Sequence, residues 1–178
     1  MKDNQIQIFQ YIQYKLLEWY VLSNDCEYNE NDFSILKSMK LLFFTVSANC
    51  KKDNSLLDTT FTDFVAMPYG HVEINVYNKL KNPLIHKDFK IDNEKTYFSS
   101  IKDFSDISHT IKSEIDHSVD ILKKSNYKLI NYTAFQLVEL SHRFDSWLKT
   151  YKTAQEGGRK IEVIEPDLIK NEMKFYIL

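Results

Sequence analysis

Apolar residues in the first segment, from about Asn4 to Leu22, recur at helical spacing. Phe9, Ile12, Leu16, Trp19 and Tyr20 step by three, four, three and one, which places them on one face of an α-helix. The polar stretch from Ser23 to Asn31 reads as a loop. Asp32 is a suitable N-cap for a second helix through about Ala48. In that helix Met39, Leu41, Leu42, Phe43, Phe44 and Val46 leave hardly any polar face, so it belongs at the centre of the fold.

After a polar turn at 49–58, residues 61–67 alternate in part and predict a short strand or extended arm. Pro68-Tyr69-Gly70 ends it, proline by fixing φ and glycine by reaching conformations closed to other residues. A third helix is expected to open at His71, with Val72, Val76 and Leu80 on one face and Asn82-Pro83 as its stop. Residues 85–91 alternate as an edge strand or run as a loop. Ile107, Ile111, Ile115, Val119 and Leu122 then form a helical stripe.

Thr133-Ala134-Phe135-Gln136 has the pattern of a capping box. It opens a helix whose stripe is Leu137, Leu140, Phe144, Trp147, Leu148 and Tyr151, with Gly157-Gly158 at its end. Pro166 suits the first position of a short final helix through Phe175. The expected architecture is mainly α, a single domain over residues 1–178. Its β content is at most a small two-stranded element around residues 61–67 and 85–91.

Composition changes the picture little. The 178 residues have the apolar and charged fractions of an ordinary globular chain, with no repeat or low-complexity run. Eleven tyrosines and twelve phenylalanines against three glycines and three prolines imply long elements packed by large rings. No apolar run reaches the ~18 residues of a membrane span, and the N-terminus does not resemble a signal peptide, so the cytoplasm is the expected location. Cys26 and Cys50 belong to no metal-ligand or redox pattern.

Three landmarks fall in a distinctive order: Lys40-Leu41-Leu42-Phe43-Phe44 on the buried helix, Phe64 to Val72 around Pro68 and Gly70, and Leu137-Val138-Glu139-Leu140-Ser141-His142 with Trp147 beyond. Together they resemble the Panacea domain, the SocA-type antitoxin family also found among phage-associated proteins of bacteria. The resemblance covers about residues 8–173, with His71 standing where the family usually has proline. It implies an antitoxin that neutralises a cognate protein toxin, encoded nearby, by binding it. For some relatives it also implies delivery of the toxin to a protease. It supplies no catalytic residues and no cofactor. Tyr69, His71 and His142 become the candidate partner-binding residues, with Pro68, Gly70 and Trp147 as the structural landmarks beside them.

Two other chemistries have some support in the residues. Glu114-Ile115-Asp116-His117 and Glu139-Leu140-Ser141-His142 are two Glu-x-x-His pairs, as in di-iron bundles, with Glu18 as a third contributor. The helical rotation sends His117, Glu139 and His142 away from their apolar stripes, which argues against a shared metal. No nucleophile motif and no glycine-rich phosphate loop is present, so an enzyme is not expected. Arg143, Lys149, Lys152, Arg159 and Lys160 outnumber Asp145 and Glu156 in one stretch, making a nucleic-acid-binding regulator the alternative.

Overall fold

The computed structural model describes residues 2–81, 89–98 and 104–178. Helix α1 (Lys2–Asn24) and helix α2 (Ile35–Ala48) are followed by the short α3 (Leu56–Thr59). Strands β1 (Phe64–Met67) and β2 (Gly70–Glu73) lead into α4 (Ile74–Leu80). A second hairpin, β3 (Phe89–Ile91) and β4 (Thr96–Phe98), precedes α5 (His109–Ser125). The chain closes with α6 (Ala134–His142), α7 (Asp145–Glu156), β5 (Glu162–Val163) and α8 (Pro166–Asn171).

Helix α2 is the hub, packed against α1, α5, α6 and β2. Every residue from Lys37 to Ser47 is buried, as its nearly all-apolar pattern requires. Two lysines are buried with the rest. Lys37 Nζ pairs with Asp32 at 2.6 Å and lies over the rings of Tyr20 and Phe33. That pairing occupies Asp32, and the N-cap expected there is instead Ser34, whose hydroxyl accepts from the Lys37 N–H.

The fold is mainly α, with the β structure in two small sheets. Among the described residues, 61–67 and 89–91 do not pair with each other. Strand β1 lies between β2 and β5, antiparallel to both, with Val65 opposite Val72 and Val163. Strand β3 pairs with β4, and Phe89 packs on Phe98 and on Phe9 of α1. The expected Asn82-Pro83 stop and residues 85–88 lie outside the described residues.

Other helix boundaries also differ from the sequence pattern. His71 opens no helix. It sits in β2, because Pro68-Tyr69 forms a two-residue turn that pairs Met67 with Gly70, and Gly70 takes φ +91° to return the chain. Helix α4 begins three residues later, its first turn capped by the Glu73 carboxylate through Val76 N–H at 2.6 Å. The capping box at Thr133 and Gln136 is present, but the long helix it opens breaks at Arg143 and Phe144 into α6 and α7. Phe144 is extended, with ψ 130°. The break turns α7 so that Leu148, expected on the apolar stripe, is 53% exposed.

Pro166 takes its expected first-turn position. The final helix ends at Asn171, short of Phe175, and the tail runs back over the core. Phe175 packs edge-on against Phe144 and Tyr176 against Phe44, while Asn126 donates to the Tyr176 carbonyl at 2.6 Å. No helix among the described residues is long and apolar enough to cross a membrane.

Candidate functional site

The hairpin of β1 and β2 is fixed from beneath by a chain of buried polar groups drawn from five parts of the sequence. His71 is 0% exposed and its ring lies flat on Phe43, 3.6 Å between centroids. Nδ1 is 2.8 Å from Ser141 Oγ and Nε2 is 2.8 Å from Ser146 Oγ. Both carboxylate oxygens of Glu172 accept from Ser146, from its N–H at 2.7 Å and its O–H at 2.8 Å. The donor roles then follow. Ser146 gives its proton to Glu172, so its oxygen accepts from His71 Nε2–H. Nδ1 is left as an acceptor for the Ser141 hydroxyl, whose oxygen accepts the His71 backbone N–H at 3.2 Å.

Lys40 completes the frame. Its side chain is fully buried and Nζ donates to the His71 carbonyl. Burial lowers its pKa to about 7. Burial, with Lys40 beside it, also holds the His71 pKa well below the usual histidine value, which keeps the ring neutral. Glu172 serves a helix end as well. Helix α7 starts at Asp145, and the Ser146 N–H bound by Glu172 is one of that helix's orphan donors. The α6–α7 break and the hairpin are therefore held by the same carboxylate.

Above this frame the tip of the hairpin is aromatic and open. Tyr69 is 58% exposed and meets Phe135, on the first turn of α6 and 64% exposed, edge to face at 6.3 Å. His142 donates to the Pro68 carbonyl and stacks on Trp147 at 3.7 Å. Trp147 stacks in turn on Tyr151 at 5.0 Å and donates Nε1–H to the Met67 carbonyl at 2.9 Å. The second ring nitrogen of His142, Nε2, is buried without a partner. Burial is the main reason its pKa is lowered, with a contribution from Lys40.

The structure therefore brings three of the sequence candidates, Tyr69, His142 and Trp147, to one rim around Pro68. Gly70 lies beneath that rim. His71 is removed from it: with no exposed surface it is a support for the turn and not a contact. Trp147 is buried, as its place on the apolar stripe implied. His142 was expected to point outward, opposite the stripe; the helix break folds Trp147 back over it, leaving it half-buried. Phe135, the largest exposed contributor, was not singled out from the sequence, although its place in the capping box put it on an open first turn. Ser146 and Glu172 were also missed, and Lys40 and Ser141 entered only as parts of the landmarks, since nothing local marks residues that meet across 26 to 75 positions.

The remaining candidates lie elsewhere. Glu114 accepts from the Leu56 N–H at 2.9 Å and pairs with Lys52 at 3.3 Å, and His117 lines the same shallow cavity of about 380 Å³ beside α5. Glu18 pairs with Lys15. The two Glu-x-x-His pairs do not converge, and among the described residues no three His, Cys, Asp or Glu side chains are grouped to hold a metal ion. In the basic stretch, Lys149 pairs with Asp145, Lys152 with Glu156 and Arg159 with Glu162. Arg143 donates to the Ile177 carbonyl and covers the Phe175 ring. Four of those five cations are engaged within the chain.

No curated protein and no solved structure matches the chain. A family model described as antitoxin SocA-like, Panacea domain, matches residues 39–148, from the middle of α2 through the hairpin to the first turn of α7. That span holds Lys40, the Pro68–Gly70 turn, Ser141, His142 and Trp147, while Glu172 lies beyond it. With more than half of its length matched, and with the hairpin and most of its buried frame and aromatic rim inside the match, the chain belongs to the SocA-like antitoxins of the Panacea domain.

Proposed function

We propose that this chain neutralises a protein toxin by binding it directly with the exposed rings of Tyr69 and Phe135, backed by the His142–Trp147–Tyr151 stack, and that it carries out no covalent chemistry. The observation that carries this reading is the exposed Tyr69–Phe135 pair standing on a hairpin pinned by fully buried polar groups. Large rings offer contact area with few rotatable bonds, and a pre-formed support reduces the entropy lost on binding. The groups best suited to catalysis, His71, Ser141, Ser146 and Lys40, are all buried and committed to one another, which supports a binding role over an enzymatic one. Both cysteines are free, in keeping with action in the cytoplasm.

The test is co-expression with the toxin encoded beside this gene. Growth should be rescued and the two chains should co-purify. Tyr69→Ala should weaken toxin capture by about tenfold or more, the loss typical of a central aromatic contact. Its thermal midpoint should stay near that of the unsubstituted protein, because the side chain lies mostly in solvent. Unfolding of Tyr69→Ala, or undiminished capture, would overturn the assignment of the rim. The steady-state level of the captured toxin then separates masking from delivery to a protease: a level that falls on co-expression marks delivery.

A further inference from the structure

We propose that the rim receives an arginine side chain of the toxin, stacked on the Tyr69–Phe135 pair and ion-paired with Glu139. This rests on the binding reading above. Phe135, Glu139 and His142 are spaced four and three residues apart on α6, so they share one face of that helix. The Pro68-Tyr69 turn lies against the same face, through the Phe135 ring and the His142 bond to Pro68. Glu139 is exposed within this aromatic surface and has no hydrogen bond or ion pair among the described residues. The cation four residues on, Arg143, is held elsewhere, by the Ile177 carbonyl and the Phe175 ring. The Glu139 charge acts on the His142 ring three residues on, but burial keeps that ring's pKa below its ordinary value, so among the described residues no cation is paired with the carboxylate.

The chemistry of the occupant follows. An apolar side chain pressed onto the rings would strip water from Glu139 and leave its charge unpaired. An acidic one would be repelled. A cation satisfies both parts of the surface, since aromatic rings attract positive charge and the carboxylate pairs with it. Arginine fits better than lysine because its planar guanidinium stacks on a ring while its edge offers parallel N–H donors to a carboxylate.

The isotope-labelled full-length chain would be titrated with the peptide N-acetyl-Gly-Arg-Gly-amide and followed by NMR. Shifts are expected at Tyr69, Phe135, Glu139 and His142 and at the Trp147 indole. Glu139→Gln should weaken them about tenfold, the loss of one charge-assisted contact. The matching peptide with glutamate in place of arginine should give none. Absence of arginine-dependent shifts, or equal affinity in Glu139→Gln, would overturn the proposal. So would shifts that grow with protein concentration alone, since the rim would then be covered by a second copy of this chain. A second arm uses toxin capture. Glu139→Lys should lose capture, and retention at the unsubstituted level would overturn the arginine site while leaving direct binding intact. If even the unsubstituted protein captures no toxin, the binding reading fails, and the peptide titration still decides the arginine site.

Discussion

Gly70→Ala should lower the stability of the fold by about 3 kcal/mol, read as a fall in the urea midpoint with an unchanged slope. Two costs combine at this position. The backbone is at φ +91°, where a side chain is strained by about 1–2 kcal/mol. A β-carbon there would also sit 2.5 Å from Ser141 Oγ and 3.2 Å from Lys40 Nζ. Ser141 cannot simply rotate away, because its hydroxyl holds both the ring and the backbone N–H of His71. Relief must come from moving the hairpin off α6, at the typical cost of about 1–3 kcal/mol for overpacking. Gly158 provides the control. It too has positive φ, +68°, but nothing lies within 4 Å of its would-be β-carbon. Gly158→Ala should therefore cost only the strain, about 1 kcal/mol. Equal losses at the two positions would mean that the close approach of hairpin and α6 does not exist in solution. Because the displaced turn carries Tyr69, Gly70→Ala should also reduce toxin capture beyond its effect on stability.

This hairpin also shows what the sequence could and could not disclose. The stripes of α1 and α5 were legible because burial there follows a period of 3.6, and α2 because its apolar run leaves hardly any polar face. Thr133 with Gln136, and Pro166, were legible because a cap is written within four residues. The mainly α architecture rested on those elements, and the family likeness on Lys40–Phe44, the stretch around Pro68 and Gly70, and Leu137–His142 with Trp147. His71 read as the start of a helix because Val72 and Val76 follow at helical spacing. Its true partners are Ser141 and Ser146, seventy and seventy-five residues away, together with Phe43. The α6–α7 break had no glycine or proline to announce it. Its orphan donor is satisfied by Glu172, twenty-six residues downstream, so the signal for the break lies outside any local window. The functional rim was half legible for the same reason. Tyr69 stood out beside Pro68 and Gly70, whereas Phe135 and Glu139 gain meaning only when the turn is laid against their face of α6.

The buried amine of Lys40 should give stability an unusual dependence on pH. In the fold its pKa is lowered to about 7 by burial, against 10.5 ordinarily. Between those values the unfolded chain binds the proton and the folded chain does not, so stability rises with pH. At about 1.36 kcal/mol per pKa unit, the gain from pH 7 to pH 9.5 is about 3 kcal/mol. Below pH 7 both states carry the proton and this slope disappears. Glu73 acts in the opposite sense. Burial raises its pKa from 4.5 to about 7 despite the bond from Val76 N–H, so the fold retains a proton that the unfolded chain loses, and stability falls as pH rises through that window. His71, kept neutral well below its ordinary 6.5, opposes Glu73 there, because acidification below 6.5 protonates only the unfolded chain. The lysine limb above pH 7 is free of both. Lys40→Met, close in volume, leaves the His71 carbonyl without its donor, a cost of about 1–3 kcal/mol that does not vary with pH. The variant should gain on the unsubstituted protein by about 3 kcal/mol as pH falls from 9.5 to 7, measured by urea unfolding at half-unit intervals. Parallel profiles for the two proteins across that range would show that the lysine remains charged inside the fold. The hairpin would then be held by an ammonium ion under the His71 carbonyl, not by a neutral amine.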